Sequence, residues 1–138
     1  MRVFIDTNVL IDYLCRREPF FLPAKSLFAL CYMGKIDIVM SSLSIVNSLY
    51  IGRKYHSDQL KQSLLGLSKI VYFADLSTPM VLETLQTDWL DYEDALQNAT
   101  AVCEQCLCIV TRNKKDFVKS PLSVYTPEEM LEVLVARM

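Results

Sequence analysis

Aspartates recur along this chain where an apolar segment meets a polar one. Asp6 ends the apolar run 3–5 and precedes an apolar-periodic stretch, which predicts the carboxyl end of a buried strand beside a helix N-terminus. Asp91 and Asp94 are three residues apart at the start of another periodic stretch, so they share one helix face. Asp116 follows a later apolar run. These carboxylates are the side chains best suited to chemistry.

Carboxylates gathered in one cleft repel one another, and loss of solvation raises their pKa values. A hard divalent cation such as Mg²⁺ or Mn²⁺ removes this conflict, prefers oxygen ligands and keeps some of its waters. Such an ion provides a nucleophilic water and neutralises charge on a phosphodiester under attack. The aspartates therefore indicate metal-assisted phosphodiester hydrolysis, provided that the fold brings them together.

Each acidic residue also has a structural interpretation, and the sequence alone leaves both open. Asp6 fits a strand-end turn or a cap, although Thr7 or Asn8 can cap the first helix instead. The acids at 91 and 94 fit a helix start, where they interact with the helix dipole. Asp116 fits a loop acid paired with a neighbouring lysine. Glu93 is expected to point away from its neighbours into solvent.

The elements that must position these residues alternate between short apolar strands and helices. This alternation predicts an α/β fold with a mostly parallel sheet covered by helices on both faces. Right-handed crossovers bring the strand ends to one edge, where open α/β sheets bind ligands. The predicted strands are Val3–Asp6, Ile36–Met40, Ile70–Ala74, Cys108–Thr111 and Val124–Tyr125. The predicted helices are Thr7–Cys15, Pro23–Tyr32 (stopped near Gly34), one from the serines at 41–44 to about Tyr55, Asp58–Leu67, Thr78–Thr87, Asp91–Cys106 and one capped by Thr126.

The bulk properties limit the class of protein. The 138 residues suit one domain, and no linker, repeat or low-complexity tract divides them, so residues 1–138 are expected to form a single domain. The net charge of −2 argues against a protein that coats nucleic acid by bulk charge. No apolar run approaches the roughly 18 residues of a membrane span. Because an export signal is also missing at the start, we expect a cytoplasmic protein.

Cysteine, histidine and glycine usage narrows the chemistry further. The odd cysteine count and apolar surroundings favour buried free thiols in a reducing cytosol. A zinc site at Cys103, Cys106 and Cys108 lacks a second ligand pair, and the single histidine, His56, is distant in sequence and expected to be exposed near a helix end. A Ser-His-Asp or Cys-His hydrolase has little support for the same reason. The three glycines form no phosphate-binding loop.

Three segments contain most of these polar residues. They are Phe4-Ile5-Asp6-Thr7-Asn8-Val9-Leu10, Asp91-Tyr92-Glu93-Asp94-Ala95-Leu96-Gln97 and Ile109-Val110-Thr111-Arg112-Asn113-Lys114-Lys115-Asp116-Phe117. The segments resemble motifs of the PIN-domain family of metal-dependent ribonucleases, which includes the VapC-type toxins of bacterial toxin–antitoxin pairs. Their order and spacing fit that family along nearly the whole chain. The resemblance implies a three-layer α/β/α fold with a roughly five-stranded, mostly parallel sheet and an acidic pocket at one edge.

The resemblance also implies an activity and a set of site residues. By position, Asp6, Asp94 and Asp116 look like the catalytic, metal-binding acids of an endoribonuclease that hydrolyses RNA phosphodiester bonds with Mg²⁺ or Mn²⁺. Further positions look like supporting polar residues or outer ligands of the metal. These are Thr7, Asn8, Asn47, Asp91, Thr111 and Asn113.

One residue departs from the family pattern. The family usually has a glutamate early in the helix after the second strand, and Asn47 takes that place here. Asparagine can bind Mg²⁺ through its carbonyl oxygen but brings no charge, which leaves about three anionic ligands. The alternative function is therefore a catalytically weakened PIN domain that acts as an RNA- or protein-binding module. In a second interpretation, Asn47 is an ordinary amide at the start of a helix and lies outside the site.

Basic and apolar segments suggest partners. Cations beside the last acidic motif are candidates to bind RNA phosphates, with ordinary surface charge as the alternative; they are Arg112, Lys114 and Lys115. Arg16 and Arg17 extend this rim if their helix lies close, or interact with the C-terminal dipole of the first helix. The segment 19–32 is apolar on more than one side, so its exposed part suits a homodimer face or a groove for an antitoxin protein.

Overall fold

The computed structural model describes residues 1–55 and 57–137, and of Ser57 and Asp58 only the backbone. The strands are β1 (Arg2–Ile5), β2 (Asp37–Ser41), β3 (Tyr72–Ala74), β4 (Cys108–Val110) and β5 (Ser123–Tyr125). The helices are α1 (Thr7–Leu14), α2 (Phe21–Tyr32), α3 (Ser42–Gly52), α4 (Ser57–Leu67), α5 (Thr78–Thr84), α6 (Tyr92–Cys103) and α7 (Pro127–Ala136), with a 3₁₀ helix at Lys114–Phe117. All five strands pair in parallel, in the order β3-β2-β1-β4-β5. The predicted α/β fold is confirmed.

The strand order reverses beside β1, which lies at the centre of the sheet. The chain moves from β1 to β2 and β3 on one side, and then returns to add β4 and β5 on the other. Ile5 pairs with Val110 at the ends of β1 and β4, and the Asp6 amide donates to the Val110 carbonyl at 2.9 Å. Asp6 and Thr111 therefore leave adjacent strand ends at the switch point, where doubly wound sheets bind ligands.

The two faces of the sheet carry separate apolar cores. Along β1, side chains alternate between the faces. Val3 and Ile5 pack with residues of α1, α2, α4 and α7, whereas Phe4 packs against α6 and the 3₁₀ helix through Ala101 and Phe117. These three side chains are fully buried, and each such burial contributes about 2 kcal/mol. The site thus follows directly from a strand whose apolar side chains are fully buried on both faces of the sheet.

Several predicted boundaries and caps differ from the structure. The strand predicted to include Asp6 ends at Ile5, because Asp6 itself is the N-cap of α1; the prediction of Thr7 or Asn8 as that cap was wrong. The helix predicted to reach position 106 ends at Cys103, since Gln105 has a φ of 58°. The predicted Thr126 cap is confirmed as a full capping box with Glu129.

Other local predictions had mixed outcomes. Gly34, at a φ of 75°, follows the end of α2 as expected. The helix predicted to run to Thr87 ends at Thr84, and the one predicted to reach about Tyr55 ends at Gly52. Arg16 and Arg17 follow the C-cap residue Cys15 of α1, and their interaction with the dipole of that helix stays a prediction. The predictions for the His56 and Asp58 side chains lie outside the described residues.

The cysteines are free thiols, as predicted, but not all are buried. Cys31, Cys106 and Cys108 are buried, and burial raises the pKa of the last two thiols to about 11. Cys103 is exposed. Within residues 1–55 and 57–137, no helix is long and apolar enough to cross a membrane.

Candidate active site

Asp6 caps α1 and at the same time faces the crevice between β1 and β4. Its side chain is 7% exposed. Oδ1 accepts from the Thr7 amide at 2.9 Å and from Gln97 Nε2 at 3.1 Å, and Oδ2 accepts from the Thr111 hydroxyl at 2.9 Å. Burial raises the pKa of Asp6, and these three hydrogen bonds offset part of that rise. Asp6 can therefore cap α1 and bind a metal ion at the same time, since its Oδ2 atom keeps one lone pair beyond the hydrogen bond from Thr111.

Thr111 holds the Asp6 carboxylate from the end of β4. Its Oγ1 accepts from the Asn113 amide at 3.1 Å and lies 3.3 Å from Asn8 Nδ2. With both lone pairs engaged, its hydroxyl proton is left for Asp6 Oδ2. Asn8 also accepts from the Arg112 amide through Oδ1, at 3.4 Å. The predicted supporting residues Asn8, Thr111 and Asn113 thus form one network that fixes Asp6.

Gln97 contacts the candidate site, although its sequence motif alone gave it no role there. Its side chain is fully buried on α6, and Nε2 lies 3.1 Å from Asp6 Oδ1, 3.1 Å from Thr7 Oγ1 and 3.2 Å from Ser44 Oγ. Thr7 and Ser44 are joined by a 2.7 Å hydroxyl hydrogen bond. Gln97 therefore ties α6, α1 and α3 together behind Asp6. Its position three residues after Asp94, on the same helix face, was the available signal.

Asp91 and Asp94 begin α6 at the mouth of the same cleft. Asp91 is the N-cap and accepts from the Asp94 amide at 3.0 Å, so the structural interpretation holds for Asp91. Burial, followed by the charges of Asp6, Asp91, Asp116 and Glu93, raises the pKa of Asp94 to about 7. An aspartate near half-protonation at neutral pH indicates a partly desolvated carboxylate with other negative groups around it.

Glu93 is exposed to solvent, as predicted, but it does not point away from its neighbours as expected. It lines the cleft, and its Oε1 accepts from Asn47 Nδ2 at 2.8 Å. Burial raises the pKa of Glu93, as do the charges of Asp6 and Asp91, whereas the Asn47 hydrogen bond lowers it. Asn47 on α3 thus contacts the acidic group through Glu93.

The cleft has a volume of about 350 Å³ and is lined by both acidic and basic side chains. Asp116 reaches it from the 3₁₀ helix, and Arg17 and Arg112 line it as well. Lys114 pairs with Glu129 at 3.0 Å, and neither it nor Lys115 is among the lining residues. Among the described residues, no three His, Cys, Asp or Glu side chains already lie at the spacing of one bound ion. The carboxylates that line the cleft are Asp6, Asp91, Glu93, Asp94 and Asp116.

A family model for the PIN domain matches residues 2–115 of this sequence. The chain belongs to the PIN-domain family. The match includes Asp6, Asp94 and the Thr111-Arg112-Asn113 segment, and it ends one residue before Asp116. The predicted resemblance is therefore confirmed. Among curated protein sequences, none matches this chain significantly.

Solved PIN-type structures share the fold. A toxin–antitoxin complex from Klebsiella pneumoniae is 28% identical, with 91% of this chain and 97% of that chain covered and a TM-score of 0.67. VapBC2 from Rickettsia felis, bound to a DNA fragment from its promoter, is 20% identical over 90% and 97% of the two chains, with a TM-score of 0.64. VapC20 from Mycobacterium tuberculosis, a toxin that cleaves the sarcin-ricin loop, is 15% identical over 78% and 86%, with a TM-score of 0.61.

Proposed function

We propose that this PIN domain is a metal-dependent endoribonuclease in which Asp6, Asp94 and Asp116 bind Mg²⁺ or Mn²⁺. The observation that carries the proposal is the convergence of five carboxylates at the switch point of the sheet. Their mutual repulsion contributes to the raised pKa of Asp94. A binding site for a divalent cation is the simplest use of such an arrangement, because the ion relieves the repulsion.

The donor set fits a hard cation. Asp6 Oδ2 retains one lone pair, and the Asp94 and Asp116 carboxylates accept no hydrogen bond among the described residues. All available metal-binding atoms are oxygens. Mg²⁺ and Mn²⁺ prefer oxygen ligands, whereas zinc and copper favour nitrogen and sulfur ligands. Asp116 is exposed and Asp94 is partly exposed, so both side chains are free to rotate toward an ion.

The residues of this chain have separable tasks in the proposed reaction. A divalent ion bound here supplies Lewis-acid chemistry, activating water and neutralising the phosphodiester. Thr111, Gln97 and the Thr7 amide fix the orientation of Asp6, so that one lone pair faces the cleft. Asp94 has a pKa of about 7 in the metal-free cleft, so near neutral pH it gives up a proton before it can bind the ion as a carboxylate.

Asn47 bears on the alternative of a catalytically weakened domain that only binds RNA or protein. It brings no charge to the position where the family usually has a glutamate, which favours the alternative. Its hydrogen bond to Glu93, however, holds a carboxylate in the cleft from α6. The negative charge that the glutamate would contribute is thereby present, and we favour the active nuclease.

The proposed partners follow from the proposed activity and from the relatives. RNA is the substrate, and the likeness to the Klebsiella pneumoniae toxin–antitoxin complex supports an antitoxin protein as a partner. Large apolar side chains on α2, just after it and on α3 are exposed, which suits an antitoxin or a homodimer contact; they are Leu22, Tyr32, Met33, Val46, Tyr50 and Ile51. Static light scattering of the purified chain measures the oligomeric state directly.

Cleavage of a structured RNA in Mn²⁺ tests the nuclease proposal. Asp116→Asn is the informative variant, because this carboxylate is exposed and its replacement disturbs no hydrogen bond of the described residues. Glu132→Gln, an exposed carboxylate on α7 outside the cleft, is the matched control. We expect cleavage by the wild type and the control, and its loss in Asp116→Asn and in EDTA. Equal cleavage by all three proteins would refute the assignment.

A second readout does not depend on knowing the RNA. Mn²⁺ should raise the melting temperature of the wild type and of Glu132→Gln, because the ion binds only the folded state. The same titration should stabilise Asp116→Asn much less. A catalytically weakened domain would show the Mn²⁺ stabilisation without cleavage, which separates the two functions.

A further inference from the structure

Asp12 is a buried aspartate for which the proposed metal chemistry has no use. It lies on α1 and is 1% exposed. Oδ1 contacts Arg17 Nε at 2.8 Å, and Oδ2 contacts Arg112 Nε at 2.6 Å. Arg112 Nη2 reaches Oδ1 as well, at 3.3 Å. One carboxylate thus holds two guanidinium groups that come from opposite ends of the chain.

Both arginines are fixed by further contacts. Arg112 stacks on Phe20, with its Cζ 4.0 Å from the ring centroid, and Arg17 Nη2 donates to the Asn8 carbonyl at 3.4 Å. Neither Nη1 has a hydrogen-bond partner among the described residues, and the two side chains are 30% and 26% exposed. Each guanidinium therefore presents unused donors from a fixed position.

The arrangement also keeps the arginines apart from the acids. Both line the cleft, yet among the described residues each pairs only with Asp12 and with none of the cleft carboxylates. Since two guanidiniums share one buried carboxylate, one positive charge is left over. A phosphodiester is the group that fits this surplus, because it is a monoanion with two free oxygens and arginine forks bind such oxygens bidentately.

We propose that Asp12 is a positioning residue that holds Arg17 and Arg112 as a two-arginine clamp for an RNA phosphate beside the acidic cleft. The inference rests on the proposed function for the choice of RNA. It differs from a rim of surface lysines, since the clamp is fixed by a buried carboxylate. It also assigns Arg17 a role equal to that of Arg112.

Binding of a short labelled single-stranded RNA in EDTA, over a range of KCl concentrations, tests the clamp without cleavage. Removing one arginine–phosphate contact on a single strand reduces the magnitude of the negative slope of log K against log salt by about 0.7. We expect that fall for Arg17→Gln and again for Arg112→Gln, and none for the exposed Lys69→Gln control. Unchanged slopes in both arginine variants, or no RNA binding by the wild type, would overturn the proposal.

The role of Asp12 requires a test that distinguishes a residue that positions the arginines from one that only stabilises the fold. Asp12→Asn should weaken RNA binding in the wild type, but should have no further effect when Arg17 and Arg112 are both glutamine. An equal effect in both backgrounds would mean that Asp12 acts through the fold instead. Arg17→Lys and Arg112→Lys keep a charge beside Asp12 while removing the fork. They should fold normally and still bind RNA less tightly, so the test stands even if Asp12→Asn unfolds.

The outcomes separate this inference from the nuclease proposal. Cleavage by the wild type with unaltered salt slopes in the arginine variants would reject the clamp and leave the nuclease standing. Reduced slopes without any cleavage in Mn²⁺ would support the clamp and reject the nuclease.

Discussion

Replacing Asp94 by asparagine should stabilise the metal-free protein at neutral and higher pH. Its carboxyl group holds a proton until about pH 7 instead of the usual 3.8, because it is partly buried and faces four other carboxylates. At about 1.4 kcal/mol per pH unit, the full difference corresponds to at most about 4 kcal/mol. Solvent screening of this partly exposed group reduces the expected effect to about 1–2 kcal/mol.

The sign follows from proton linkage. The folded protein binds the Asp94 proton more tightly than the unfolded chain does, so the wild type loses stability as the pH rises from about 4 to about 7. Asparagine cannot ionise, so the variant does not lose this stability. It does forgo a favourable interaction with the α6 dipole of roughly 0.5 kcal/mol. The net gain above pH 7 is therefore about 1 kcal/mol, or a melting temperature higher by about 3–5 °C.

Thermal unfolding in EDTA, followed by circular dichroism between about pH 5 and about pH 8, measures this effect. The wild type and Glu132→Gln should show the same fall in stability with pH, and Asp94→Asn a shallower one. Added Mn²⁺ should then stabilise the variant less than the wild type. A variant that is less stable than the wild type at pH 8, or that keeps the full pH dependence, would refute the reasoning and make Asp94 a structural residue.

Three other substitutions test individual contacts, each by urea unfolding. Asn47→Glu should destabilise the protein in EDTA by about 1 kcal/mol, and more at pH 8 than at pH 5, because it replaces the hydrogen bond to Glu93 with repulsion; added Mn²⁺ should reverse the loss. Gln97→Leu should cost about 1–3 kcal/mol and steepen the pH dependence, because Asp6 Oδ1 loses a donor that lowers its pKa. Thr126→Ala should cost about 1 kcal/mol through its cap and leave RNA cleavage unchanged.

Local patterns predicted the elements of this fold because the forces that form them are local. The apolar run 3–5 with Asp6 after it, and the Thr126 capping box, are readable over a few residues. Right-handed crossovers then bring the strand ends to one edge. That rule was enough to place Asp6, Asp94 and Asp116 around one cleft, as the structure has them.

Glu93 shows where a local rule fails. The spacing of three residues between Asp91 and Asp94 places both on one face along the side of a helix. By the same rule, Glu93 was expected to lie on another face. Here the N-terminus of α6 itself opens onto the cleft, and side chains of the first turn lean back toward that end. The acids at 93 and 94 therefore both reach the cleft.

Asp12 shows where no local rule exists. Arg17 follows five residues later, beyond the end of α1, and Arg112 is a hundred residues away. Neither separation is a helix or strand spacing, so only the assembled sheet brings the three together. A buried carboxylate of this kind is costly unless it is paired, and here the two arginines pair with it.

The charges in the cleft finally bear on the asparagine at position 47. A glutamate there would face Glu93 directly, and the two carboxylates would repel each other in the metal-free state. An amide donates to Glu93 instead and keeps that carboxylate beside Asp6 and Asp91. Glu93 on α6 thus keeps a negative group in the cleft next to the uncharged side chain at 47. Under the proposed function, that carboxylate remains beside the bound cation.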